Sequence, residues 1–215
     1  MAQHRKLVFP VHPRTRNALA KSQLGALLVF DEVQCGVGRT GKFLACEHAG
    51  IAPDIAALAK GLGGGFPIGA FMATEKAAVG MVPGTHGSTY GGNPLATGVA
   101  NAVLDELLKP GFIDAVASKG EYLKGQLEAL VKKHPKVYAE QRGMGFLQGL
   151  QCTPSVPAGD MVNKLQSLGM LVPPAGENVV RIFPALIAEK AALDEGIAIL
   201  SQAAQSFEAA AKAAE

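Results

Sequence analysis

A chain of 215 residues is long enough for one sizeable core or two modest domains. Its 48% hydrophobic content, 26 glycines and 18% charged residues fit an ordinary globular protein, and no apolar run reaches membrane-spanning length. The net charge of +2 is uneven: Arg5, Lys6, Arg14, Arg16 and Lys21 open the chain without an acid, and after Ser22 15 basic residues face 18 acidic ones, which argues against a nucleic-acid surface.

Pro10 and Pro13 interrupt any amphipathic helix in the basic opening, against an organelle-targeting segment. Residues 6–11 predict a short strand and 14–22 a short helix. The apolar run at 26–30 (ALLVF) predicts a strand buried on both faces of a parallel sheet. A helical stretch at 42–49 follows, then strands at 55–59 (IAALA) and 68–73 (IGAFMA), with Glu75 to Ala78 starting a turn of helix. Strand, glycine-rich turn and helix alternate, which is the pattern of an α/β fold.

Residues 81–92 (MVPGTHGSTYGG) read as a loop, and Asn93-Pro94 starts a helix over 94–108. Apolar spacing predicts a further helix over 112–134. Strands near 136–141, 145–152 and 179–183 then alternate with helices near 158–168 and 188–211, as in a smaller α+β domain. The break at Pro110-Gly111 places the boundary near residue 110. Three cysteines (Cys35, Cys46, Cys152) without a CxxC pair point to a reduced, cytoplasmic setting. The five histidines show no metal-ligand spacing, so no metal site is expected.

The segment LLVFDEVQCGVGRTGKF (27–43) holds glycines at dinucleotide-fingerprint spacing and nearly completes a P-loop. Five residues separate Phe30 from Gly36, two of them acidic, and carboxylates there would repel a pyrophosphate. Phe43 stands where a P-loop needs a hydroxyl. These glycines more readily shape a loop than a nucleotide cradle, although a nucleotide-binding α/β protein stays as an alternative. "DEVQ" at a strand's carboxyl end, with Lys60 at the end of the next strand, puts an acid and an amine on neighbouring strand ends. Spacing alone favours the plainer reading of a rim acid and a lysine stem lying along the edge.

Four blocks occur in order: LLVFDEVQCGVGRTGKF, PDIAALAKGLGGGFPIGA, GTHGSTYGGNPLA and VVRIFPALI. Each resembles a signature of the class-III pyridoxal-phosphate-dependent aminotransferases, nearest to the acetylornithine and succinylornithine aminotransferases, from about Gly25 to the C-terminus. The resemblance implies fold type I, the aspartate aminotransferase-like architecture. It would divide into a partial large domain with a mostly parallel sheet at 25–110 and a small α+β domain at 111–215. Residues 1–24 form a basic leader outside the likeness; HRKLVFPVHPRTRNAL there resembles instead a segment of UDP-N-acetylglucosamine 2-epimerases.

By resemblance, Lys60 is the Schiff-base lysine and proton carrier, and Asp31 the carboxylate on the pyridine nitrogen. Gln34 is implied as the donor to the ring's phenolic oxygen, with Glu32 and Val33 beside it in the cofactor-binding set. Thr89 resembles the hydroxyl donor to the cofactor phosphate, reaching a neighbouring subunit in a homodimer. Ser88 and Arg181 resemble substrate contacts, Arg181 as the clamp of the α-carboxylate. The implied activity is transfer of an ornithine-type ω-amino group to 2-oxoglutarate, as in arginine biosynthesis, with no nucleic-acid or membrane partner. The family's first half has no counterpart ahead of Gly25. A catalytically inactive fragment that serves only folding or association, or association with a partner supplying the missing half, is therefore the alternative.

Overall fold

The computed structural model describes residues 27–213, so the strand expected at 6–11, the helix expected at 14–22 and the leader's resemblance lie outside the described residues. The chain divides after Ile113 into two compact units. In the first, strands β1 (Val29–Asp31), β2 (Ile55–Leu58) and β3 (Ala70–Ala73) form one sheet in that order. β1 and β2 are parallel, in the register Val29 with Ile55, Phe30 with Ala56 and Asp31 with Ala57. β3 runs antiparallel to β2, so the expected mostly parallel sheet is mixed among the described residues. The connection 59–69 is too short for the crossover a parallel neighbour would need.

Asp54 fixes both pairings at the entry to β2. Its carboxylate accepts from Leu28 N at 2.8 Å, its own N–H donates to Leu28 O at 2.9 Å, and its carbonyl accepts from Thr74 N at 2.9 Å. Phe30, Ala56 and Leu58 are buried on one face, whereas Val29, Ile55 and Ala57 on the other are only half-buried. Thr74 caps the short helix α1 (Glu75–Ala78), and residues 81–92 form an exposed loop. Helix α2 (Pro94–Leu107) begins with Pro at its first position, and the Asn93 side chain caps it by accepting from Ala96 N at 2.9 Å.

The second unit holds an antiparallel sheet of β4 (Tyr138–Met144), β5 (Leu147–Cys152), β6 (Pro174–Ala175) and β7 (Val179–Ile182), in the order β4-β5-β7-β6. The two-residue β6 has no counterpart in the sequence reading. Helices α3 (Phe112–Lys133), α4 (Ala158–Ser167) and α5 (Lys190–Ala213) complete it. Val116, Leu123, Leu127 and Leu130 of α3 are buried, as are Leu193, Leu200, Ala203 and Ala204 of α5. The buried Tyr138 hydroxyl donates to Leu200 O at 2.9 Å, and burial raises its pKa. The His134 ring ties α3 to α5, with Nε2 3.0 Å from Ser201 Oγ and Nδ1 3.2 Å from the Glu208 carboxylate.

α3 meets the β4–β5 turn at Gly120, and the turn is held there by the Gln148 side chain, which donates to Gly120 O at 2.8 Å and Gly145 O at 2.7 Å. A Cβ on Gly120 would lie 2.5 Å from Gly145 Cα, against backbone that cannot rotate aside. Gly125 in the same helix is exposed, and a Cβ there would meet nothing within 4 Å. In denaturant unfolding Gly120→Ala is therefore expected to lose about 1–3 kcal/mol. Gly125→Ala should gain about 0.5–1 kcal/mol. Shifts of the same sign would contradict this packing.

Candidate active site

Asp31 ends β1 on the half-buried face of its sheet, the side shared by its register partner Ala57. One carboxylate oxygen, Oδ1, accepts from Val33 N at 3.0 Å. The other has no partner among the described residues. Lys60 lies two residues past the end of β2, so acid and amine leave the sheet at the carboxyl edge of adjacent parallel strands. Lys60 is exposed, and its amine has no partner among the described residues. Gln34, half-buried just beyond Asp31, likewise has no side-chain partner there.

The Glu32 side chain, expected among the cofactor contacts, does not share this surface. Alternation along the strand turns it to the covered side, where it is 1% exposed. Its carboxylate accepts from Cys46 N at 2.8 Å, Ala45 N at 2.9 Å and Cys35 Sγ at 3.1 Å. A buried carboxylate needs this many donors to offset its lost hydration. The result is that the loop 32–46 folds back onto the end of β1. Val33 contributes through its backbone, holding the Asp31 carboxylate. The loop's glycines are consumed by the same fold. Gly38 and Gly41 adopt φ of 82° and 84°, and a Cβ on Gly36 would lie 2.8 Å from Glu32 O.

Two other residues here adopt left-handed backbone without being glycine: Val37 at φ 57° and Lys60 at φ 45°. Each such conformation costs on the order of 1–3 kcal/mol, and a β-branched residue is the costlier case. Sequence reasoning passed over Val37; a lone branched residue within a glycine run was the available signal. Asp54 was passed over as well.

Ser88 and Thr89 lie in the exposed loop 81–92 of the first unit, and their hydroxyls have no partner among the described residues. Arg181 belongs to the second unit, in the middle of β7 opposite Gly149 of β5. Its N–H donates to Pro173 O at 3.0 Å, and its guanidinium has no partner among the described residues. It borders a largely apolar cavity of about 230 Å³ walled by Leu123, Met170, Phe183, Leu193 and Ile197. No group of His, Cys, Asp and Glu that could hold a metal ion occurs among the described residues. Nor is any helix there long and apolar enough to cross a membrane.

Burial, reinforced by Glu32, pushes the Cys35 thiol up from 9.0 to about 12 and the Cys46 thiol to about 11. A thiol held up only in the folded state adds stability that is complete below pH 9, and this is lost as pH rises through 9 towards those values. At pH 8 a disulfide reagent should therefore modify both at least about tenfold more slowly in the native chain than in the unfolded one. Glu32→Gln should speed the reaction of a chain that is still folded. Equal native and unfolded rates would contradict the placement of these thiols.

The description of the class-III aminotransferases matches residues 14–204. The match begins ahead of Gly25, where the resemblance is expected to start, and takes in part of the basic segment. The acetylornithine aminotransferase of Rhodobacter capsulatus is 48% identical over 186 residues, which cover 86% of this chain and 47% of that protein. The ornithine delta-aminotransferase of Plasmodium falciparum superimposes with a TM-score of 0.80 at 35% identity, over 85% of this chain and 48% of its own. The N-acetylornithine aminotransferase of Stenotrophomonas maltophilia gives 0.75 at 35% identity, over 86% and 48%. The chain thus spans about half the length of the curated relatives it matches. Its structural neighbours are fold type I enzymes, and the family implies pyridoxal 5′-phosphate as cofactor. The donor set fits that group: a carboxylate with a free oxygen suits a protonated ring nitrogen, an amide suits a phenolic oxygen, and an unpaired amine suits an aldehyde. From the family match and the residues at this strand edge, the chain belongs to the class-III aminotransferases.

Proposed function

We propose that this chain serves a pyridoxal-phosphate-dependent transamination in which an ornithine-type ω-amino group, such as that of N-acetylornithine, passes to 2-oxoglutarate in arginine biosynthesis. The observation that carries this reading is the trio Asp31, Gln34 and Lys60 at one edge of two parallel strands, where Asp31 keeps one carboxylate oxygen without a partner and the Gln34 amide and Lys60 amine have none among the described residues. When bound, pyridoxal phosphate supplies an electron sink for bond breaking at the amino-bearing carbon. Asp31 keeps a proton on the ring nitrogen, and Gln34 donates to the phenolic oxygen. Lys60 would hold the cofactor's aldehyde end through its amine, and the same amine would take and return the proton at that carbon. Thr89 donates to the phosphate, across a homodimer interface. Ser88 orients the substrate, and Arg181 clamps its α-carboxylate through paired N–H donors. The setting is the cytoplasm.

A second reading is favoured by the open edge of the first sheet. All four residues of β3 are exposed, including Phe71 at 54% and Met72 at 44%. An apolar edge of this kind suits association with another polypeptide. In this reading the chain is catalytically silent as it stands and acts as a folding or association module, or gains activity from a partner that supplies the remaining half of the relatives' length.

Pyridoxal phosphate added to the purified chain should give a visible absorbance band and, after borohydride, a mass increment on Lys60. Lys60→Ala should abolish both and lower turnover by about 10²–10⁴-fold. A colourless wild-type chain would sink the transaminase reading, as would a band that survives Lys60→Ala. A band without turnover would favour the association module.

A further inference from the structure

Lys60 stands on left-handed backbone, at φ 45°, a conformation that is uncommon and strained for a lysine. Something must hold it there, and the contacts around it identify what. On one side, a Cβ on Gly36 would lie 3.2 Å from Leu58 Cδ2, so the loop passes directly under the last residue of β2. On the other, a Cβ on Gly61 would lie 3.4 Å from Val37 Cβ and 3.6 Å from Val37 Cγ1. Gly36 and Val37 therefore lie against Leu58 and Gly61, the residues two before and one after Lys60. Val37 is 2% exposed and itself sits at φ 57°, where glycine would be free of strain. Elsewhere in this loop the left-handed positions, Gly38 and Gly41, are glycines. A branched side chain at this point fills the space beneath Gly61, and a glycine could not.

We infer that Val37 is a positioning residue for Lys60: the loop anchored on the buried Glu32 carboxylate presses Val37 under Gly61 and keeps the Lys60 turn left-handed, so that the amine leaves the strand edge in one direction. The inference rests on Lys60 being the residue that carries the cofactor. Val37 meets the Lys60 turn at Gly61, so two left-handed residues are joined by one contact between the loop and the residue after the lysine. Loss of the Val37 side chain lets the Lys60 turn relax while relieving the strain at position 37 itself. This separates positioning from stability. A residue that only packs should destabilise the fold when removed; here removal should leave stability nearly unchanged and scatter the lysine.

The test compares wild type, Val37→Gly, Val37→Ala and Val37→Ile, each checked by thermal unfolding. One readout uses no cofactor. The lysines are labelled with ¹³C, Lys60→Arg assigns the signal, and the Lys60 Cα resonance, which reports its backbone conformation, is compared with that of a lysine in ordinary backbone. The second is the ratio of pyridoxal phosphate trapped on Lys60 to that trapped on all other lysines. Wild type and Val37→Ile should show a distinct Lys60 resonance and preferential trapping. Val37→Gly should move the resonance to the ordinary-backbone position and lower the trapping ratio about tenfold or more, with its unfolding midpoint kept; Val37→Ala should fall between. An unmoved resonance in a folded Val37→Gly or Val37→Ala chain would overturn the inference, even where wild type traps the cofactor on Lys60 normally. If wild type fails to trap on Lys60, the functional reading falls, and the resonance comparison still decides the role of Val37.

Discussion

The candidate site depends on one parallel pairing. Because β1 and β2 run in the same direction, with Asp31 opposite Ala57, the acid and the lysine that follow their strands emerge at the same edge. An antiparallel pair would have sent them to opposite ends of the sheet. The pairing is short, and its hydrogen bonds continue past the strands: Glu32 N donates to Ala57 O at 3.0 Å, and Asp54 secures the other end. A few backbone bonds thus set a geometry that no side-chain contact between Asp31 and Lys60 is needed to maintain.

The adjacent carboxylates Asp31 and Glu32 show how one strand divides two tasks. Strand alternation turns one to the open face and the other to the covered face. Glu32, taken out of water, must collect donors, and the donors available are the backbone of 45–46 and the Cys35 thiol. Collecting them folds the loop. Asp31 stays half engaged and keeps an oxygen for a ligand. The acid that is fully satisfied builds the site, and the one left partly unsatisfied is available for chemistry.

Much of the architecture was legible because hydrophobic period and punctuation were local. Asn93-Pro94 marked the start of α2, and the spacing of Val116, Leu123, Leu127 and Leu130 marked α3. Asp31, Gln34, Lys60, Ser88, Thr89 and Arg181 were picked from motif blocks; apart from the Asp31 oxygen held by Val33 N, their side-chain polar atoms have no partner among the described residues. What stayed hidden depends on tertiary closure. The direction of β3 follows from the length of its connection, and β6 is too short to carry a period. Whether Glu32 or Asp31 faces inward is a matter of which side of the sheet is covered. The left-handed turn of Val37, buried against Gly61, arises where the loop closes onto the second strand and leaves no local period to read.

The most direct measurement of the central claim is a crystal structure of the chain with pyridoxal phosphate. The account predicts one ring with its nitrogen against the Asp31 carboxylate and its aldehyde carbon joined to Lys60 Nζ. Side chains of Asp31 and Lys60 directed into separate compartments, with no single ring able to reach both, would contradict it.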